Sequence, residues 1–216
     1  MIVGIPLYDG VDMLDVTGPF EMLDWAGFDV QLAARAAGPI KCRSNMSAAL
    51  TLLAPNAFRD APQYDVLWVP GGEPDALARV MGDPSRSYLD FIIRQAASAR
   101  YVCSVCEGAL LLAAAGLLDG YHATTHWAFT ECFGQFPKVK IVPGHPRYHL
   151  DRNRLTGGGI SSGLDEALAL IELLKGTAAA QDVQRTTQYY PKPPVDSVIP
   201  KPPSCPVPNV TIPPVR

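Results

Sequence analysis

Cys106 stands where one kind of sequence gives way to another. Before it runs the apolar, β-branched stretch Tyr101-Val-Cys-Ser-Val105; after it come Glu107-Gly108 and a run of Ala and Leu that closes at Gly120. The first half favours a strand and the second a helix, with Gly120 suited to the left-handed residue that ends one. A thiol on the turn between them projects from a tight bend beside free backbone N–H groups. Ser104-Val-Cys-Glu-Gly108 is a thiol version of the Gly-x-Ser-x-Gly elbow, with Ser in place of the first Gly. The helix start is expected to lower the thiol pKa and yield a reactive thiolate. Two other readings stand beside this one. Cysteine at a strand end is often plain core. Cys103 and Cys106 also have C-x-x-C spacing, but three residues along a strand point to opposite faces, so the two sulfurs should diverge.

The other candidates lie far apart in the chain. Asp15 follows the first strand, where a turn or cap role competes with catalysis. Gly71-Gly72 ends the strand Gln63 to Val69; two glycines let backbone approach a ligand and aim N–H groups at it, or simply make a tight turn. Thr125 and His126 sit at a strand-to-helix junction, where a lone His is as readily a packing residue as a chemical one. No Cys/His grouping has zinc spacing.

These residues need elements to hold them. Ile2 to Tyr8 and Phe28 to Ala34 read as strands; Pro39 to Ser44 and Ala49 to Leu53 read as short extended edge segments. Thr17, with Pro19 in the first turn, predicts a helix beginning after Asp15. Helices follow over 73–81, 85–97, 128–133, 163–176 and 178–187, and Asp151-Arg-Asn-Arg154 marks a hairpin bend between strands. Strands alternating with helices predict an α/β sandwich with a mostly parallel sheet, whose ligands bind beyond the carboxyl ends of the strands. Asp15, Gly71-Gly72, Cys106 and Thr125-His126 all follow strands and can therefore converge. Residues 1–190 form the expected domain. Residues 191–216 carry ten prolines and no helical period, which predicts an extended tail lying on the body or disordered.

Composition narrows the function classes. A net charge of −3 gives no general reason to expect nucleic acid or an anionic membrane as partner, and no apolar run has the length of a membrane span. Five cysteines at irregular spacing in 216 residues favour a reduced, cytoplasmic protein.

Together the segments Leu14-Asp-Val-Thr-Gly-Pro19, Val69-Pro-Gly-Gly72, Ala99-Arg-Tyr-Val-Cys-Ser-Val-Cys106, Ala114-Ala-Gly-Leu-Leu118, Ala123-Thr-Thr-His-Trp127 and Leu155-Thr-Gly-Gly-Gly-Ile160 resemble the DJ-1/PfpI (ThiJ) superfamily, and within it the isocyanide hydratase branch. They span residues 1 to about 190 in order. The resemblance implies a flavodoxin-like sandwich with a nucleophile elbow, a homodimer, a small-molecule substrate and no metal or organic cofactor. It implies Cys106 as nucleophile and Asp15 as its acidic partner, with backbone donors at Gly72 and Glu107 and with Gly71, Thr125 and His126 nearby. It leaves three activities open: isocyanide hydration, glyoxalase-like work on reactive carbonyls, and redox or ligand sensing. Two features depart from the pattern. Hydratases of that branch carry Thr where this chain has Glu107, whose carboxylate would raise the thiol pKa unless it points away. Gly144-His-Pro-Arg147 is reminiscent of a glutaminase triad motif, but Arg replaces its Glu and a hairpin follows it.

Overall fold

The structure, a computed structural model, describes residues 1–44 and 49–214. In chain order its first elements are β1 (Ile2–Leu7), α1 (Met13–Trp25), β2 (Asp29–Ala34), β3 (Gly38–Lys41), β4 (Thr51–Ala54), β5 (Asn56–Ala57), β6 (Val66–Val69), α2 (Pro74–Met81) and α3 (Ser87–Ala96). Then come β7 (Tyr101–Ser104), α4 (Gly108–Ala114), β8 (His122–Ala123), a 3-10 helix (Trp127–Gln135), β9 (Lys140–Ile141), β10 (Tyr148–Asp151), β11 (Arg154–Gly157), α5 (Ser162–Lys175) and α6 (Thr177–Thr186).

The central sheet has the order β10-β11-β7-β6-β1-β2-β5. All its pairings are parallel except β10 with β11. Helices α1, α5 and α6 pack together on one side, and α2, α3 and α4 on the other. With both faces covered, the middle strand β6 is apolar and buried throughout, as parallel strands between two helical layers must be. Strand order reverses between β1 and β6, because β2 lies on one side of β1 and β6 on the other. The crevice beyond the carboxyl ends of those strands is where such sheets take ligands. Asp15 follows β1, Gly71 and Gly72 follow β6, and Cys106 follows the adjacent β7.

Two helices differ from the sequence expectation. Helix α1 starts at Met13, not after Thr17, so Asp15 lies in its first turn. Thr17 is internal, its hydroxyl donating back to the Met13 carbonyl at 2.9 Å. Pro19 is internal too and has no N–H for the carbonyl four residues earlier, which is that of Asp15. The Trp68 indole N–H supplies the missing bond at 3.2 Å. Trp68 is thereby a wholly buried anchor for Asp15. Helix α4 stops at Ala114 rather than near Gly120, because Gly116 takes φ 73° and its N–H turns back to the Ala113 carbonyl.

The segments expected at the sheet edge pair with each other instead, as the antiparallel β3–β4 ribbon outside the main sheet. The reduced-cysteine reading is also corrected: Cys132 and Cys205 form a disulfide across 73 residues, leaving Cys42, Cys103 and Cys106 free and buried. Spacing could not reveal that pair, since one partner lies in the 3-10 helix and the other in the Pro-rich segment. From Pro191 to Pro214 that segment has no helix or strand and runs along the body, with Val207 buried in the core; the last two residues, also assigned to the tail from sequence, lie outside the described residues. No described helix is long and apolar enough to cross a membrane.

Candidate active site

Cys106 occupies the turn between β7 and α4 with φ 57°, a left-handed conformation that costs a non-glycine residue about 1–3 kcal/mol. Two hydrogen bonds hold it there. Its N–H donates to the Gly158 carbonyl at 2.8 Å, and its own carbonyl accepts from the Thr125 hydroxyl at 2.8 Å. The residue is 1% exposed, so the thiol does not stand out into solvent as a simple elbow would suggest.

Asp15, Cys106 and Glu107 place one ligating atom each within 4.8 Å of one another, and all three residues are buried. The Gly71 N–H donates to Asp15 Oδ2 at 2.8 Å, and the Gly72 N–H to Glu107 Oε2 at 3.3 Å. A Cβ on Gly71 would lie 2.4 Å from Glu107 Oε2 and 2.6 Å from the Glu107 nitrogen, so only glycine lets the two acids meet there. Gly71→Ala is expected to cost about 1–3 kcal/mol in stability, read from the urea midpoint, and to lower activity with it.

The expected donor pair at Gly72 and Glu107 is therefore not open. Both N–H groups turn onto the Glu107 carboxyl. Glu107 does not point away; it points at the thiol. Burial, then Asp15 and Glu107, push the Cys106 thiol well above its ordinary range, opposed by the Ile160 backbone N–H that faces the sulfur. The thiol is thus not held as a standing thiolate. Helix α4, only seven residues long, is outweighed by desolvation and two neighbouring acids. Burial, then Glu107 and Asp12, raise Asp15 well above the carboxylate range, with the Gly71 N–H opposing. Burial raises Glu107 from 4.5 to about 7, with the Cys106 side chain opposing. Three acids in one dry space cannot all ionise, so the set shares protons, and its titration belongs to the group rather than to one residue.

This has a stability consequence with a definite sign. A carboxyl whose pKa is raised on folding stabilises least where it must ionise, so its contribution is whole below pH 4.5 and is lost as pH rises through about 7. The loss amounts to about 3 kcal/mol for a buried group shifted this far. Glu107→Gln is expected to remove it: the variant should match the wild type near pH 4.5 and unfold at higher urea above pH 7.

The remaining candidates sit around this trio. His126 is not among the acids. Its Nδ1 accepts from the Ala128 N–H at 3.2 Å, and burial, then Arg43, lower its pKa. Thr125, His126 and Trp127 instead line a cavity of about 320 Å³ with Gly158, Gly159, Ile160, Ser161, Ser162 and Ile199. Thr125 and Gly158, which hydrogen-bond Cys106, and Ile160, whose N–H faces its sulfur, belong to its wall, so the cavity abuts the elbow. His145, Pro146 and Arg147, from the motif set aside as a triad fragment, line it as well.

Sequence reasoning missed three participants: Asp12, the Ile160 N–H and the Trp68 anchor; the Glu107 carboxyl acts on the thiol in the direction its position beside Cys106 implied. Pro19 four residues after Asp15 was the readable signal for the anchor, since it frees the Asp15 carbonyl. Cys103 lies in β7, wholly buried and unbridged, as the strand geometry required.

Residues 1–173 match the DJ-1/PfpI family. The chain is 42% identical to an isonitrile hydratase from Pseudomonas putida over 90% of its length and 81% of that protein's. Among solved structures it is similar to a ThiJ/PfpI family protein from Pseudomonas syringae, with a TM-score of 0.80 and 31% identity over 90% of this chain and 77% of the other. Oxidized DJ-1 from Toxoplasma gondii shares the fold, with a TM-score of 0.72 and 23% identity over 87% of this chain and 98% of the other.

Proposed function

Because this chain belongs to the DJ-1/PfpI family, we propose that it is a cysteine-dependent hydratase that converts isocyanides to N-substituted formamides. The observation that carries the reading is the trio Asp15, Cys106 and Glu107, taken with the similarity to an isonitrile hydratase. An acyl-transfer or carbonyl chemistry would call for donors left free to receive a developing oxyanion. Here the Gly72 and Glu107 N–H groups are engaged by a carboxyl, and two carboxyls stand at the thiol to take and return protons. An isocyanide carbon needs acid: it takes a nucleophile and a proton on the same atom.

The steps balance within these residues and one water. Asp15 accepts the thiol proton as sulfur bonds to the terminal carbon, and returns it to that carbon, giving a thioimidate. Glu107, with a pKa of about 7, then takes a proton from water as the oxygen adds. The carbon–sulfur bond breaks, the nitrogen keeps one water proton, the other returns to sulfur, and the formamide leaves. Splitting the hydration through a covalent adduct replaces one hard step with two easier ones. A thiol that is neutral at rest suits this cycle, since its proton is the one the carbon receives.

The test is parallel incubation with an alkyl isocyanide and with methylglyoxal, following formamide by NMR and loss of each substrate. Formamide formation well above the loss of methylglyoxal is expected. Consumption of methylglyoxal with the isocyanide untouched would overturn the proposal in favour of carbonyl chemistry. Reversible peroxide oxidation of Cys106 with neither substrate turned over would overturn it in favour of a sensor.

A further inference from the structure

Ile199, from the Pro-rich segment, lines the same cavity as Trp127 and Ile160. Six residues further on, Cys205 is bonded to Cys132, within the 3-10 helix that Trp127 begins. One covalent bond thus ties two walls of the cavity together. The segment has further anchors on both sides. Upstream, the Tyr189 N–H donates to the Gln184 carbonyl and its hydroxyl to Asp165 at 3.3 Å. Downstream, Val207 is 4% exposed and the Arg86 guanidinium donates to the Pro213 carbonyl. Between Pro191 and Pro200 every residue is exposed, so little besides the cavity holds Ile199 in place. The prolines at 191, 193, 194, 200, 202 and 203 stiffen the span and limit how far it can stray while both ends are fixed.

We propose that this segment is the outer wall of the substrate site, that Ile199 is the residue that sets how large a substituent enters, and that the Cys132–Cys205 bond keeps it there. The substrates it admits are isocyanides bearing compact apolar groups, packed among Ile199, Trp127, Ile160 and Pro146; this choice of substrate rests on the hydratase reading, whereas the wall itself does not. Reduction by a dithiol breaks the sulfur–sulfur bond, moves two electrons to give thiols at 132 and 205, and leaves the dithiol as its own disulfide. Cys106 takes no part in that exchange. The span between Tyr189 and Val207 then loses its tether beside the cavity, Ile199 is held less closely against the mouth, and the site accepts bulkier groups.

The experiment uses the full chain with Ile199→Ala, Ile199→Trp and Cys205→Ser, each checked for a native thermal transition. The rate of Cys106 alkylation is measured with iodoacetamide and with N-benzylmaleimide, the modified residue being confirmed by peptide mass. Ile199→Ala and Cys205→Ser are expected to raise the benzyl-to-small rate ratio about tenfold and Ile199→Trp to lower it by as much. Ile199 is half exposed, so its variants stay informative if Cys205→Ser folds poorly. A ratio unchanged in both Ile199 variants would overturn the wall. Because alkylation needs no substrate, a changed ratio with no isocyanide turnover would leave the wall standing and refute only the substrate class.

Discussion

Turnover of an alkyl isocyanide by Cys106→Ser is expected to fall by on the order of 10⁴-fold or more, the scale seen when a covalent nucleophile is removed. The substitution keeps the shape of the turn. Its left-handed backbone, the N–H to Gly158 and the carbonyl bond from Thr125 do not depend on sulfur. A hydroxyl in the same place is a far poorer nucleophile toward the soft, weakly electrophilic terminal carbon of an isocyanide. Binding should survive, because the cavity walls are untouched. The variant is therefore expected to show a near-normal response to a competing formamide while losing turnover, which single-turnover kinetics can separate.

Asp15→Asn is expected to lower turnover by about 10²- to 10⁴-fold, the usual share of a positioned acid–base group. Asparagine can still accept the Gly71 N–H, and the backbone bond from Trp68 to the residue 15 carbonyl does not involve the side chain. What disappears is a site to hold the thiol proton and return it to carbon. Unfolding cannot account for the loss. Burial raises the Asp15 pKa above its ordinary 3.8, so the native state is penalised as pH climbs above that value and the side chain must ionise. Removing the charge should leave stability at neutral pH equal to or above that of the wild type. A urea titration at pH 7 beside the kinetic assay makes the comparison.

These expectations show which parts of the site were legible in sequence. The passage from Val102 and Val105 to the Ala-Leu run marked the elbow, since strand and helix formers differ over so few residues. That Asp15, Gly71-Gly72 and Cys106 converge followed from alternation, because each follows a strand of the central sheet. Thr125 and His126 follow β8, which pairs with β9 outside that sheet, and they line the neighbouring cavity instead. The start of α1 was not legible. Thr17 and Pro19 look like a cap and a first turn, and only the reach of Trp68 from β6 explains why a proline is tolerated inside that helix. The direction of Glu107 could not be read either, as it is set by the Gly72 amide, which follows β6 and lies 35 residues away in the chain. The thiol was expected to be acidified by a helix; in the fold, desolvation and two carboxyls act on it more strongly. The Cys132–Cys205 bond depends on where an irregular, proline-rich segment comes to rest, and no periodicity records that.

The central claim is that sulfur at position 106 forms a covalent bond to the substrate carbon with a proton supplied by its neighbours. Acid quench within the first turnover, followed by peptide mass mapping, tests it most directly. The account predicts an adduct on the Cys106 peptide equal to the whole mass of the isocyanide, persisting longer in Glu107→Gln, where water is no longer activated. Formamide produced at full rate with Cys106 never modified, or by the Cys106→Ser protein, would contradict it.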